Sequence, residues 1–236
     1  MLLGEFLEIS ISTQDILVAV EFYERLGFRH APTGETWQHP YAVMTDGRIA
    51  LGLHRYDFPS PALTFALPGL RDKLGGFEQA GIEFAFRKTA DDEFNEAGFT
   101  DPDRQMITLL EARTYSPLRS GIADSVCGYF LEYRMAVSDC RTSRRFWENM
   151  GLVSAALDAA ISGYAQLGCS GLNLGLQERG PRASPQLVFI HERPETVSGL
   201  LEARGIPFQR GQDHDAAQLL RITAPDGLEL LIRDRD

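Results

Sequence analysis

Glu8 and Glu132 are the side chains from which chemistry is most readily read. Each follows a Phe-Leu pair, each stands seven residues before an aspartate (Asp15, Asp139), and the two lie 124 positions apart (132 − 8). A carboxylate on the polar face of a strand can move a proton or contact a cationic or hydroxylated ligand. The neighbours of the two differ. Glu8 shares its face with Ser10 and Ser12, whereas Glu132 shares its face with Arg134, two residues on and placed to pair with it. Ligand contact is therefore the expectation for Glu8, and a structural ion pair is the first reading for Glu132. A second group of interest is Trp37-Gln38-His39-Pro40-Tyr41, where aromatics on a loop over a groove would suit stacking on a planar ligand. The same loop, anchored by Trp37, could equally be structural. His54, beside Arg55 at a strand end, reads as a surface histidine.

The elements that position the two carboxylates form a repeat. FLEISISTQDILVAVEFYERLGF at 6–28 returns at 130–152 as FLEYRMAVSDCRTSRRFWENMGL without a gap. Phe6/Phe130, Leu7/Leu131, Glu8/Glu132, Asp15/Asp139, Phe22/Phe146, Glu24/Glu148 and Gly27/Gly151 are identical, and Tyr23/Trp147 are both aromatic. Alternation over Leu7–Ser12 predicts a strand with Ile9 and Ile11 on the core face. Asp15 suits a helix N-cap, Ile16, Val20, Tyr23 and Leu26 recur at helical spacing, and Gly27 suits the residue past the helix end. In the second copy Tyr133, Met135 and Val137 face the core.

The order β-α-β-β-β then appears twice in each half. In the first half, strands are expected near Phe28–Arg29, Tyr41–Met44 and Ile49–His54. Beyond the breaker Pro59-Ser60-Pro61 come strand Ala62–Leu67, helix Gly69–Ala80, and strands near Ile82–Arg87, Glu96–Thr100 and Gln105–Glu111. The second half gives strand Gly128–Val137, helix Cys140–Met150, and strands near Val153–Leu157, Tyr164–Cys169 and Leu172–Gln177. After the breaker 180–185 follow strand Gln186–His191, helix Glu195–Arg204, and strands near Phe208–Arg210, Ala217–Thr223 and Leu228–Arg233. Shared landmarks include Leu51-Gly52-Leu53 with Leu174-Gly175-Leu176, and Pro102-Asp103 with Pro225-Asp226. The division is a first module at 1–113, a linker at 114–126 rich in Ser, Gly and Pro, and a second module at 127–236.

Composition removes several functions. A net charge of −10 over 236 residues, with the arginines scattered among acids, argues against a nucleic-acid partner. Three cysteines without CxxC spacing do not make a disulfide framework or structural zinc site, and suit a reducing compartment. The start MLLGEFLEIS has no basic region followed by an apolar one, and no stretch reaches the length of a membrane span, so the expected place is the cytoplasm. No phosphate loop, HExxH or nucleophile triad is present.

The strand ending in an Asp cap, the helix carrying Phe-Tyr/Trp and closing on Leu/Met-Gly-Phe/Leu, and the Pro-Asp turn before the last strand together resemble the vicinal oxygen chelate superfamily. That superfamily includes glyoxalase I, extradiol ring-cleaving dioxygenases, and fosfomycin- and bleomycin-resistance proteins. The resemblance covers nearly the whole chain and implies an α+β fold: four βαβββ motifs in two tandem modules whose curved mixed sheets form grooves. It also implies metal-ligand positions, which fall on Glu8 and Glu132. On the fourth strand the position falls on Gly52 and Gly175, with His54 pointing the same way two residues on. At the fifth strand it falls on Ala62 and Gln186. Near the last strand it falls on Thr108 and Leu231, with Glu229 sharing Leu231's face. Neither module keeps the full set, and the two-histidine, one-carboxylate set of an iron(II) oxygenase is absent. The groove of module one would be lined by Glu8, Ser10, Ser12, Thr64 and Thr108, that of module two by Glu132, Arg134, Gln186, Val188 and Ile190, with Trp37 and Tyr41 at a rim.

Three functions follow as expectations. One is a metal-free protein that binds a small aromatic or cationic molecule in a groove; another is a metal-dependent glyoxalase-like lyase or isomerase in which Glu8 is ligand or base. The last is an interaction or regulatory protein that retains only the fold. The cofactor is none or one divalent metal, the partner a small molecule, and the assembly a monomer with intrachain module pairing or a homodimer.

Overall fold

A computed structural model describes residues 2–31, 39–90, 94–111, 125–155, 163–178, 184–212 and 218–234. The first half comprises β1 (Glu5–Ser12), α1 (Ile16–Arg25), β2 (Arg29–Ala31), β3 (Tyr41–Thr45), β4 (Ala50–His54), β5 (Ala62–Ala66), α2 (Leu70–Gln79), β6 (Phe84–Lys88), β7 (Glu96–Thr100) and β8 (Met106–Leu110). The second half comprises β9 (Tyr129–Val137), α3 (Cys140–Asn149), β10 (Val153–Ser154), β11 (Tyr164–Cys169), β12 (Leu172–Glu178), β13 (Gln186–His191), α4 (Pro194–Ala203), β14 (Gln209–Gln212), β15 (Gln218–Thr223) and β16 (Glu229–Asp234). They form two eight-stranded mixed sheets of matching order, β2-β3-β4-β1-β5-β8-β7-β6 and β10-β11-β12-β9-β13-β16-β15-β14. Strand β6 starts two residues later than expected, at Phe84, and β2 one residue later, at Arg29, where Phe28 turns inward, 2% exposed, against Tyr23.

Local chemistry sets the helices that follow β1 and β9. Asp15 accepts hydrogen bonds from the backbone N–H of Leu17 and Val18, and Asp139 from that of Thr142, so each helix begins at a carboxylate cap. Past α1, Gly27 has φ +92°, a conformation for which glycine carries no steric penalty. The buried seam of α1 is Ala19, Phe22, Tyr23 and Leu26. Ile16 and Val20, expected on that seam, are only half-buried, since the small Ala19 rather than Val20 fits against the sheet.

Two compact units arise from these elements, and each draws on both halves of the chain. One contains Met1–Ser10, Pro59–Pro117 and Ala136–Ala183; the other contains Ile11–Phe58, Leu118–Met135 and Ser184–Asp236. In the first, the turn after β7 meets α3. Asp103 accepts from the backbone N–H and hydroxyl of Ser138, both at 2.7 Å, and from the hydroxyl of Ser143. In the same turn Asp101 Oδ1 accepts from the backbone N–H groups of Asp103 and Gln105, while the buried Asp101 carboxyl also faces the Trp147 indole N–H, outside close hydrogen-bond geometry. Burial pushes the Asp101 carboxyl up to about 7, against the two backbone donors and with help from the Asp103 charge.

In the second unit, α1 meets the equivalent turn of the other half. The Tyr23 hydroxyl donates to Asp226 Oδ2 at 3.2 Å, and burial raises the Asp226 carboxyl above the ordinary carboxylate range. The C-terminal ends of α1 and α4 cap one another: Arg25 Nε donates to the carbonyl of Arg204 at 3.0 Å, and an Arg204 guanidinium N–H donates to the carbonyl of Arg25 at 2.7 Å. Phe28 and Phe130 both pack edge-on against Phe189 in this core.

Candidate functional site

The residues singled out by their chemistry fall into three groups. In the first unit, β1 pairs antiparallel with β5, and β5 pairs parallel with β8, so that Glu8 lies opposite Thr64 and Thr64 beside Thr108. Strand neighbours in register point to the same side of a sheet, so the three make one polar row, with Ser10 in the next row along β1. Ser10 Oγ donates to Glu8 Oε1 at 2.8 Å and lies 2.7 Å from Thr64 Oγ1. Glu8, Ser10 and Thr64 are buried, and Thr108 is half-buried. A carboxylate linked to two hydroxyls is the arrangement that this strand geometry delivers.

The second group lies in the second unit, on β9, β13 and β16. Gln186 is in register with Arg134 on one side and Glu229 on the other, and Val188 is in register with Glu132 and Leu231. Arg134 Nε donates to Glu132 Oε1 at 2.7 Å, and both side chains are within a tenth of full burial. Gln186 Nε2 donates to Glu229 Oε2 at 2.7 Å, while Arg221 Nε lies 3.8 Å from the same oxygen. The polar row has moved along the strands by two residues relative to the first sheet: Thr64 is matched by Val188, and the polar contacts are instead made by Arg134, Gln186 and Glu229. This group is balanced, with two arginines against two glutamates.

The third group centres on His54. Far from being at the surface, His54 is 5% exposed, and its Nδ1 lies 3.0 Å from His39 Nε2. Tyr41, its register partner on β3, packs over it with ring centroids 4.5 Å apart. Tyr56 stacks on His39 at 5.3 Å and Phe58 meets His54 edge-on at 5.6 Å. The surface reading failed because Tyr41, His39 and Phe58 pack against the imidazole, with Tyr56 stacked on His39 beyond them. Trp37 lies outside the described residues.

The face read as groove lining is therefore far more closed than expected, with Glu8, Ser10, Thr64, Glu132, Arg134 and Gln186 all below 9% exposure. Thr64, which joins Ser10 to the Thr108 row, emerges as a central residue. The sequence already put Thr64 on the groove face; its contact with Ser10 comes from the pairing of β1 with β5, which are separated by about fifty residues of chain.

Among the described residues, no three His, Cys, Asp or Glu side chains gather in a way that could hold a metal ion. The chemistry of each candidate agrees with that. Glu132 faces a guanidinium, Glu229 takes an amide donor with a second guanidinium nearby, and His54 is engaged by a second imidazole. A cation beside Arg134 or Arg221 would meet like charge. The residues offered as metal ligands fall in separate groups: Glu8 with Ser10, His54 with His39, and Glu132, Gln186 and Glu229 on the second sheet.

No protein-family profile matches the chain, and no characterised protein matches it in sequence. Solved structures do match. The structure is similar to a catechol 2,3-dioxygenase, with TM-score 0.64 and 15% identity over 100% of this chain and 89% of that one. It is also similar to a mutant of homoprotocatechuate 2,3-dioxygenase from Brevibacterium fuscum, with TM-score 0.63 and 17% identity over 99% of this chain and 72% of that one. A TM-score of 0.64 and 16% identity, over 99% of this chain and 71% of that one, relate it to a variant of the same enzyme in complex with HPCA. These are extradiol dioxygenases, members of the vicinal oxygen chelate superfamily. No helix among the described residues is long and apolar enough to cross a membrane.

Proposed function

We propose that this chain, which has the vicinal-oxygen-chelate fold in two tandem copies, binds a small organic molecule against the polar faces of its sheets and needs no resident transition metal to do so. The observation that carries the reading is the fate of the positions where the resemblance puts metal ligands. Glu8 accepts from Ser10, Glu132 from Arg134 and Glu229 from Gln186, so donors that would coordinate a metal are engaged with protein groups. Aromatic surface beside Tyr41 and His54, with Tyr56 58% exposed, supplies stacking area of the kind a planar ligand uses. Ring cleavage, which the similar structures are named for, is not carried over, because no two histidines and a carboxylate are brought together among the described residues. Three free cysteines suit a reducing, cytoplasmic setting. The partner is a small molecule rather than nucleic acid or membrane, bound by a monomer or a homodimer.

The experiment is native mass spectrometry of purified protein before and after chelation, with thermal-shift screening of planar aromatic and amine compounds. A mass increment or melting shift that survives chelation supports the reading. Binding that disappears with chelator and returns with Mn²⁺, Ni²⁺, Zn²⁺ or Mg²⁺ overturns it.

Burial of Glu8 on β1, seven residues before the helix cap, favours a second reading: a metal-dependent glyoxalase-like lyase or isomerase with Glu8 as ligand or base. Stoichiometric metal in wild type and its loss in Glu8→Gln would support that enzyme. Absence of both metal and small-molecule binding would leave an interaction or regulatory role.

A further inference from the structure

We infer that the Glu8–Ser10–Thr64 hydrogen bonds form a chain of fixed direction, and that through it the first sheet selects a ligand carrying an O–H or N–H donor and rejects an anion. The inference rests on the small-molecule reading above and adds the chemical class. Its logic is a count of protons. A hydroxyl has one proton to give and lone pairs to accept with. Ser10 gives its proton to Glu8 Oε1. The 2.7 Å contact between Ser10 Oγ and Thr64 Oγ1 must then run from Thr64 to Ser10. Thr64 has spent its proton as well, so what its oxygen can still offer a ligand is lone pairs.

The direction has consequences for recognition. Thr64 lies beside Thr108, the one half-buried residue of the otherwise buried strand β8, so the row runs from a buried carboxylate toward that partly exposed hydroxyl. A ligand that extends the row through Thr64 has to donate. A phenol, amide, ammonium or amidinium does so and ends the chain satisfied; a carboxylate would set lone pairs against lone pairs beside the Glu8 charge, in a place where water compensates little. The second sheet cannot repeat the device. An offset of 124 replaces Ser10 with Arg134 and Thr64 with Val188, and Arg134 pairs with Glu132 directly. The selection therefore operates at one site per chain.

The test uses chelator-treated full-length protein and three planar probes of similar size: benzamidinium and catechol, which donate, and benzoate, which does not. Calorimetric titration should give one site for the two donors, with benzoate at least about tenfold weaker, the size of one charge-assisted hydrogen bond. Thr64→Val, which keeps shape and removes the hydroxyl, should weaken both donors by about tenfold, and Thr64→Ser should restore them. Thr108→Val, at a half-buried position where folding is little at risk, should weaken them to a smaller degree. Glu8→Gln can donate to Ser10 and reverse the chain, and should narrow the preference for donors over benzoate. Benzoate binding as tightly as the donors overturns the inference, as does donor binding unchanged in a folded Thr64→Val, or failure of both donors to saturate at millimolar concentration. The small-molecule reading itself fails if no compound of any class binds, or if binding returns only when a divalent metal is restored, so the two failures are distinct.

Discussion

Two buried ionisable groups show what burial does to a charge. Arg134 is within a tenth of full burial and its Nε is held by Glu132. Glu132→Gln should cost about 3–5 kcal/mol in urea unfolding, because it leaves the guanidinium buried without that carboxylate. The double change Glu132→Met with Arg134→Leu should cost less than the single one; a single change costing below about 1 kcal/mol would show that another group holds Arg134. Asp101 presents the opposite case, since its carboxyl is raised from 3.8 to about 7 by burial. The folded protein therefore holds a proton there that the unfolded chain has released, so the protonated acid's stabilising effect is complete below pH 4 and is lost as pH rises through 7. The loss is on the order of 4 kcal/mol at most. Asp101→Asn should flatten the decline in urea midpoint between pH 4 and pH 8; an unchanged slope would assign it to Asp46 and Asp226, which burial shifts the same way. At this scale the sequence was informative where the interaction is local. The two-residue spacing of Glu132 and Arg134 makes their pairing readable, and alternation puts Thr64 on the groove face, whereas the Ser10–Thr64 contact and the burial of His54 under Tyr41 and Phe58 depend on contacts between distant segments that no local spacing encodes.

Helices were the most legible elements, for a physical reason: their start and stop signals lie within a few residues of their ends. Asp15 and Gly27 bracket α1 as read, and the carboxylate cap should contribute about 0.5–2 kcal/mol, measurable as the loss in Asp15→Ala. Phe22 is 7% exposed on the α1 seam and meets Tyr23 edge-on. Phe22→Ala should destabilise by about 3–5 kcal/mol in thermal or urea unfolding, and a loss below about 1 kcal/mol would place Phe22 outside the core. Strands were legible in number and order but less so in which face they bury. In β5 all five residues, Ala62–Ala66, are buried, so alternation carries no signal there. The same closure on both faces hid how enclosed Glu8 and Thr64 are.

At the scale of the molecule, the internal repeat gave the two sheets and their matching strand order, but not the composition of the compact units. One unit needs residues 59–117 together with 136–183, and the other needs 11–58 together with 184–236. The contacts of Asp103 with Ser138 and Ser143, and of Tyr23 with Asp226, join segments from opposite halves. A fragment of residues 1–113 should therefore lack the cooperative unfolding transition of the whole chain, and adding the fragment 127–236 should restore it; a fragment that melts cooperatively alone would show that its half completes its own core.

This interleaving also has a consequence in time. On the ribosome, residues 11–58 are made well before residues 184–236, which supply Asp226 to Tyr23 and Phe189 to Phe28. Strands β3 and β4 can cover much of the α1 seam early, but the faces of Tyr23 and Phe28 that meet Asp226 and Phe189 stay uncovered until that later segment emerges, and over that interval they are open to aggregation with neighbouring nascent chains.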